Sequence, residues 1–158
     1  MSRRRLSFVL VLLLAVLASM PVIAPAWRGD DDGGHQLLIG FDLRFTGAST
    51  TAGTFQASGA VDDSGESNVT GLTLEPFGQR DKARLSGTQT FTGAHGTIVT
   101  EFKGIAHNVS QPHQYGTGRF RIVSGTGDYD DLKGRGGFTI VVDVSTGRLI
   151  GTEKGRAR

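Results

Sequence analysis

The sequence has no cysteine, only four prolines and a single tryptophan among its 158 residues. The lack of cysteine excludes a disulfide framework, the usual support of small secreted domains whose cores are too small. It also excludes a lipid attached through a lipobox cysteine. Stability must then come from an apolar core, and residues 27–158 are enough chain to bury one as a single domain. Helix signals are nearly missing as well. No window repeats apolar residues at three-to-four spacing, and Gly or Thr interrupts every candidate. Long hydrophobic runs are confined to the N-terminus, and no later stretch is long or apolar enough to span a membrane as a helix.

That N-terminus reads as an address. Arg3, Arg4 and Arg5 precede an apolar run from Leu6 to Ala18, and the small-residue stretch Val22-Ile23-Ala24-Pro25-Ala26 follows. These are the charged, apolar and cleavage regions of a secretory signal peptide over residues 1–26. The expected cut falls after Ala26, so the mature chain begins near Trp27 and is secreted or otherwise extracytoplasmic. An uncleaved anchor is the rival reading, since residues 6–23 are just long enough to cross a bilayer. Ser2-Arg3-Arg4-Arg5-Leu6 also resembles a twin-arginine export signal, although the very apolar run favours the ordinary secretory route.

Removing the signal also removes the charge excess. The whole chain carries a formal +2, but without Arg3, Arg4 and Arg5 the seventeen Lys+Arg become fourteen against fifteen Asp+Glu, a net −1. A nucleic-acid partner wants a basic patch or stripe, and the linear sequence of the mature body offers none, so no nucleic acid is expected. The densest basic stretch, Lys154 to Arg158, reads as a solvated end, with residues 155–158 a basic tail. Residues 27–34, with Asp30-Asp31-Asp32 and Gly33-Gly34, read as a flexible acidic lead-in.

What the mature chain does have is glycine and alternation. All 24 Gly follow the signal. Phe41, Leu43 and Phe45 alternate with Asp42, Arg44 and Thr46. Phe55, Ala57, Gly59 and Val61 oppose Thr54, Gln56 and Ser58. Phe120 and Ile122 alternate with Arg119 and Arg121, and Phe138, Ile140, Val142 and Val144 with Thr139, Val141 and Asp143. Each pattern sends one row to a core and the other to water. Leu72 and Leu74 are expected on the inward rows too. Turn signals separate the runs at 47–51, 62–65, 76–78, 93–96, 111–118 and 146–147. About eight strands result, at 35–46, 52–61, 66–75, 81–92, 96–108, 116–124, 135–145 and 147–154. Many short antiparallel strands at such intervals predict a barrel or a sandwich, with the domain over 35–154. Gly47, Gly53, Gly59, Gly65 and Gly71 recur every six residues and raise a β-helix as a competitor. The spacing fails at Gly78 and Gly87, and a solenoid needs a sustained period.

The most distinctive stretch runs from Gly116 through Thr117-Gly118-Arg119-Phe120-Arg121-Ile122-Val123-Ser124-Gly125-Thr126-Gly127-Asp128-Tyr129 to Leu132, Gly134, Gly136 and Phe138. Read physically, it is strand, tight turn, irregular loop and strand, with Gly125 and Gly127 able to supply positive φ. Gly134 and Gly136 allow close approach of a neighbouring strand. This pattern, with Leu85 to Phe91, Gly96 to Val99 and Ser145 to Gly151, resembles small β-barrels of the allene oxide cyclase and dirigent type, and their exported bacterial relatives most of all. The likeness spans about residues 36–154. It implies an all-β, calycin-like barrel of about eight antiparallel strands, often assembled as a homo-oligomer. It also implies two functional possibilities: cyclisation or steered coupling of a hydrophobic substrate inside the barrel, or a non-catalytic relative. The catalytic sets of those families do not map residue by residue onto this chain.

Candidate chemistry is accordingly thin. Glu101 sits mid-strand; facing inward, its carboxyl would have a raised pKa suited to acid–base work. If Ile98 and Phe102 face inward instead, Glu101 is a solvated strand residue, and their bulk favours this arrangement. Tyr129, Gln89, Phe120 and Phe138 are the candidate lining of a ligand site, with Tyr129 equally readable as a plug at the barrel mouth. His35, His95, His107 and His113 lack the spacing of a zinc site. The acidic clusters Asp30–Asp32 and Asp128, Asp130, Asp131 lack the regularity of a calcium loop. No metal or other cofactor is therefore expected. No nucleophile elbow is present, and Asn68 and Asn108 head glycosylation acceptor triplets that matter only in a glycosylating host. The sequence thus predicts an exported barrel that holds a small apolar ligand or acts structurally, with a cyclase- or dirigent-like enzyme as the alternative.

Overall fold

A computed structural model describes residues 33–78 and 81–158; the expected signal peptide and residues 27–32 of the lead-in lie outside the described residues. Eight strands follow one another: β1 (His35–Phe45), β2 (Thr51–Gly59), β3 (Asp63–Pro76), β4 (Lys82–Gly93), β5 (Thr97–His107), β6 (His113–Gly125), β7 (Gly134–Asp143) and β8 (Arg148–Ala157). A single 3₁₀ turn, Gly127–Tyr129, lies between β6 and β7. Each strand pairs antiparallel with its sequence neighbour, and β8 returns to β1, so the sheet closes as a barrel. Closure leaves no free edge among the described strands, the standing hazard of a sheet this rich in β-formers.

Register explains how one small barrel accommodates so many phenylalanines and glycines. Five Phe stand directly opposite a Gly of the adjacent strand: Phe41–Gly151, Phe55–Gly65, Phe102–Gly87, Phe120–Gly136 and Phe138–Gly118. At Gly151, Gly87, Gly136 and Gly118 the glycine leaves the space that the ring fills, whereas Gly65 makes room for the backbone of Thr92 and Gly93. A Cβ at Gly151 would lie 2.6 Å from the Phe41 ring, and one at Gly87 2.6 Å from that of Phe102. Alternating small and large inward residues is how narrow barrels fill. The rings also meet each other edge-on, Phe55 with Phe91 at 5.2 Å between centroids and Phe102 with Phe138 at 5.5 Å. Such pairs add about 0.5–1.5 kcal/mol each beyond area burial.

Several sequence expectations need correction. β6 begins at His113 and β3 at Asp63, each three residues before the expected start. Gly116 and Gly118 suggested a turn, but they serve as thin positions beneath Ile140 and Phe138. Gly125 is likewise extended strand, whereas Gly127 takes the positive φ of 65°. The expected basic tail is the end of β8: Gly155 pairs with both Leu37 and Gly136, Ala157 is buried, and Arg158 exchanges backbone hydrogen bonds with Lys133. A closing strand needs its full length on both sides, which overrides the solvated look of its sequence. Leu74 registers with Leu85 yet is 46% exposed, because it lies near the strand end beyond the Thr70/Thr73 bulge. The six-residue glycine spacing corresponds to no coil; those glycines fall in a loop, in β2, in β3 and at the bulge, where Gly71 has φ 63°.

Candidate functional site

Among the described residues, one carboxylic acid is buried in the barrel interior. On β8 the inward row reads Leu149, Gly151, Glu153, Gly155, Ala157, and Glu153 is 1% exposed. It registers with Ile39 on one side and Phe138 on the other. Across the barrel, the Thr100 hydroxyl on β5 donates to Glu153 Oε1 at 3.0 Å. The other oxygen, Oε2, is buried with no hydrogen-bond partner. Burial disfavours the charged form and pushes the carboxyl up to about 8, against the weaker downward pull of the Thr100 hydrogen bond. At neutral pH the group is therefore mostly a neutral acid, with a proton to donate.

Glu153 faces a small space bounded by Phe41, Val69, Leu72, Gln89, Phe102, Phe138, Ile140 and Leu149. The free volume is about 20 Å³, enough for one water molecule and no more. Gln89 supplies the second polar side chain on this wall, and its Nε2 donates to Ser67 Oγ at 2.9 Å. Two carboxamide- or carboxyl-bearing side chains thus share a cavity otherwise walled by phenyl and aliphatic groups.

The sequence-derived candidates divide between three places. Gln89 and Phe138 line the cavity, while Phe120 is buried on the inward row of β6, over Gly136. Glu101 faces outward, where its Oε2 accepts from Arg121 Nε at 3.2 Å and Nη2 at 2.7 Å. Ile98, Thr100 and Phe102 occupy the inward positions of β5. Tyr129 closes one end of the barrel. Its hydroxyl donates to Asp63 Oδ2 at 2.9 Å, and Asp63 also accepts from the backbone N–H groups of Ser64, Ala94 and His95. Desolvation alone would raise the Asp63 pKa, but those four donors outweigh it and hold the carboxyl below its usual range. Burial, and then the same carboxylate, push the Tyr129 phenol up to about 12.

Glu153 itself was missed on sequence. The signal was present: from Leu149 every second residue is Leu, Gly or Ala except this one. A glutamate on an apolar row is a discord that period-two reading exposes only once the strand is carried to Ala157. Among the described residues no group of three or more His, Asp or Glu could hold a metal ion.

The Asp63–Tyr129 clasp has a direct check. Tyr129→Phe is expected to lower stability by about 1.5 kcal/mol, the scale of a hydrogen bond to a charged acceptor, read by urea denaturation at neutral pH. An unchanged midpoint would mean that the clasp contributes nothing. Compared with protein-family models, with curated proteins and with solved structures, the chain matches none.

Proposed function

We propose that this chain is an exported β-barrel module that is not an enzyme and whose interior is packed rather than held open for a ligand, so that it works structurally through its outer surface. The observation that carries this reading is the size of the interior space: about 20 Å³ among Phe41, Phe102, Phe138 and Glu153. An apolar ligand of even a few carbon atoms does not fit beside those rings, because pockets that enclose small molecules run to about 300 Å³ or more. Opening one would require two or three phenyl groups to leave the glycines they cover.

A second reading rests on Glu153. A neutral carboxyl with an unpartnered oxygen, in an apolar wall beside Gln89, is an apt proton donor for a hydrophobic substrate. That is the chemistry of the cyclase- or dirigent-like alternative, and it needs a barrel that opens.

Native mass spectrometry of the protein purified from its own secretion medium separates the two readings. The expected result is a bare polypeptide mass beginning at Trp27. A retained apolar adduct would overturn the packed-interior reading in favour of the second. A mass that includes residues 1–26 would overturn the cleavage. The same spectrum reports whether the barrels associate.

A further inference from the structure

The outer face of the barrel is electrically lopsided, and only the register makes this visible. Two adjacent rows cross β5, β6, β7 and β8. The first reads Glu101, Arg121, Arg135, Arg156, and the second reads Lys103, Arg119, Gly137, Lys154. Among the described residues of these two rows there are six cations and one carboxylate. The opposite face is different: the outward residues paired across β2, β3 and β4 include Thr54, Asn68, Thr90 and Thr92, and their charges are of both signs, Glu66, Glu75 and Arg84. The acids Asp128, Asp130 and Asp131 lie in the connection between β6 and β7, beyond the strand rows. The expectation that the mature body has no basic patch is thus corrected: the band is built from residues up to 53 positions apart.

This arrangement works against the fold. Lys103 stands directly opposite Arg119, Arg121 opposite Arg135, and Arg135 opposite Arg156. Like charges directly opposite on neighbouring strands are destabilising. Arg121 is relieved by Glu101, and Arg119 and Arg135 have contacts of their own within the chain, but the band as a whole keeps its positive sign.

We propose that the outer face of β5–β8 is a binding surface for an acidic polysaccharide, a sugar chain bearing a carboxylate on each repeat. Carboxylate is the favoured anion because the band already holds one: Nε and Nη2 of Arg121 both donate to the single oxygen Glu101 Oε2, a charge-assisted contact of the kind arginine makes to carboxylates. The cations recur strand after strand along the first row, Arg121, Arg135 and Arg156, on backbones about 4.8 Å apart, as suits an anion that repeats along a chain. A flexible chain can follow the curved wall across four strands, whereas a flat bilayer touches a cylinder along a narrow line. Exposed apolar residues on these strands form one row nearer the other end, Tyr115, Val141 and Ile150; beside the cations there are only single ones, Ile105, Val123 and, opposite Lys154, Leu38, scattered side chains and not the contiguous apolar face that inserts into a membrane. Single-stranded nucleic acid wants aromatic platforms within the basic groove, and these two rows contain none.

The test is binding of the purified protein to polygalacturonate, with neutral dextran, anionic phospholipid vesicles and duplex DNA as comparisons. The expected result is binding to polygalacturonate at 50 mM salt that weakens by about tenfold or more at 200 mM, as ion-pairing to a polyanion requires. The triple variant Lys103→Gln, Lys154→Gln, Arg156→Gln is expected to lose about tenfold in affinity while its melting temperature holds or rises. Should the triple variant fail to fold, the single variants Lys103→Gln and Lys154→Gln serve instead, each with a loss of about two- to threefold. Equal binding by natural and variant chains would overturn the proposal. So would equal binding to dextran, or binding to vesicles or DNA in place of polygalacturonate.

Discussion

Replacing Glu153 with glutamine is expected to make the barrel more stable than the natural chain at pH 9, by up to about 5 kcal/mol, and to change it by no more than about 1 kcal/mol at pH 5. The sign follows from the raised carboxyl. In the unfolded chain Glu153 ionises near 4.5, and in the folded barrel near 8, so between those values the folded state holds the proton that the unfolded state has lost. The contribution is fully present below 4.5 and is lost progressively as pH rises to about 8. Each unit of separation corresponds to about 1.4 kcal/mol, and any water that reaches the small cavity reduces the total. Glutamine keeps the shape and an oxygen for the Thr100 hydroxyl but cannot ionise. Urea denaturation of both chains from pH 5 to pH 9 reads the difference: the two stabilities should coincide at the acid end and diverge toward the alkaline end. Parallel profiles would show that the carboxyl is solvated in the folded protein, and the second functional reading would lose its proton donor.

The second large effect concerns a glycine with no turn to make. Gly118→Ala is expected to cost about 3 kcal/mol or more, in the range of severe overpacking. A Cβ there would run into the Lys103 carbonyl oxygen and lie 2.5 Å from both the Gly104 Cα and the Phe138 ring. Two of those three obstacles are backbone, so no rotamer change relieves them. Against a typical total of about 5–15 kcal/mol, such a loss leaves a barrel that melts well below the natural one. Gly137→Ala, one residue before the Phe138 involved, is the comparison: its Cβ would meet only the Gly118 carbonyl oxygen, at 3.4 Å. That variant should stay within about 1 kcal/mol of the natural chain. Thermal melts followed by circular dichroism distinguish the two, and equal melting temperatures would mean that β5, β6 and β7 do not approach as closely as described.

These two residues mark where reading the sequence succeeds and where it stops. The rows Phe41-Leu43 and Phe120-Ile122 show their inward faces in one dimension, because a strand places every second side chain on the same side. Strand number, antiparallel order and the all-β class follow from that alternation and from short turn-rich connections. Glycine is ambiguous at this level. Gly116 and Gly118 look like turn residues, yet their absent side chains make room for Ile140, for the Phe138 ring and for the β5 backbone, and those partners lie in other strands.

The alternating pattern and the lack of cysteine, helix periodicity and long apolar runs after residue 26 determined by themselves that residues 33–158 form an all-β domain with a core of phenylalanine and branched aliphatic side chains. Closure of β8 on β1, the burial of Glu153 opposite Thr100 and the gathering of Lys103, Arg119, Arg121, Arg135, Lys154 and Arg156 on one wall were decided only by the tertiary structure. The reason is common to all three. Each depends on which residues of different strands stand side by side, and register across a closed sheet is set by the packing of the whole barrel, not by any one segment.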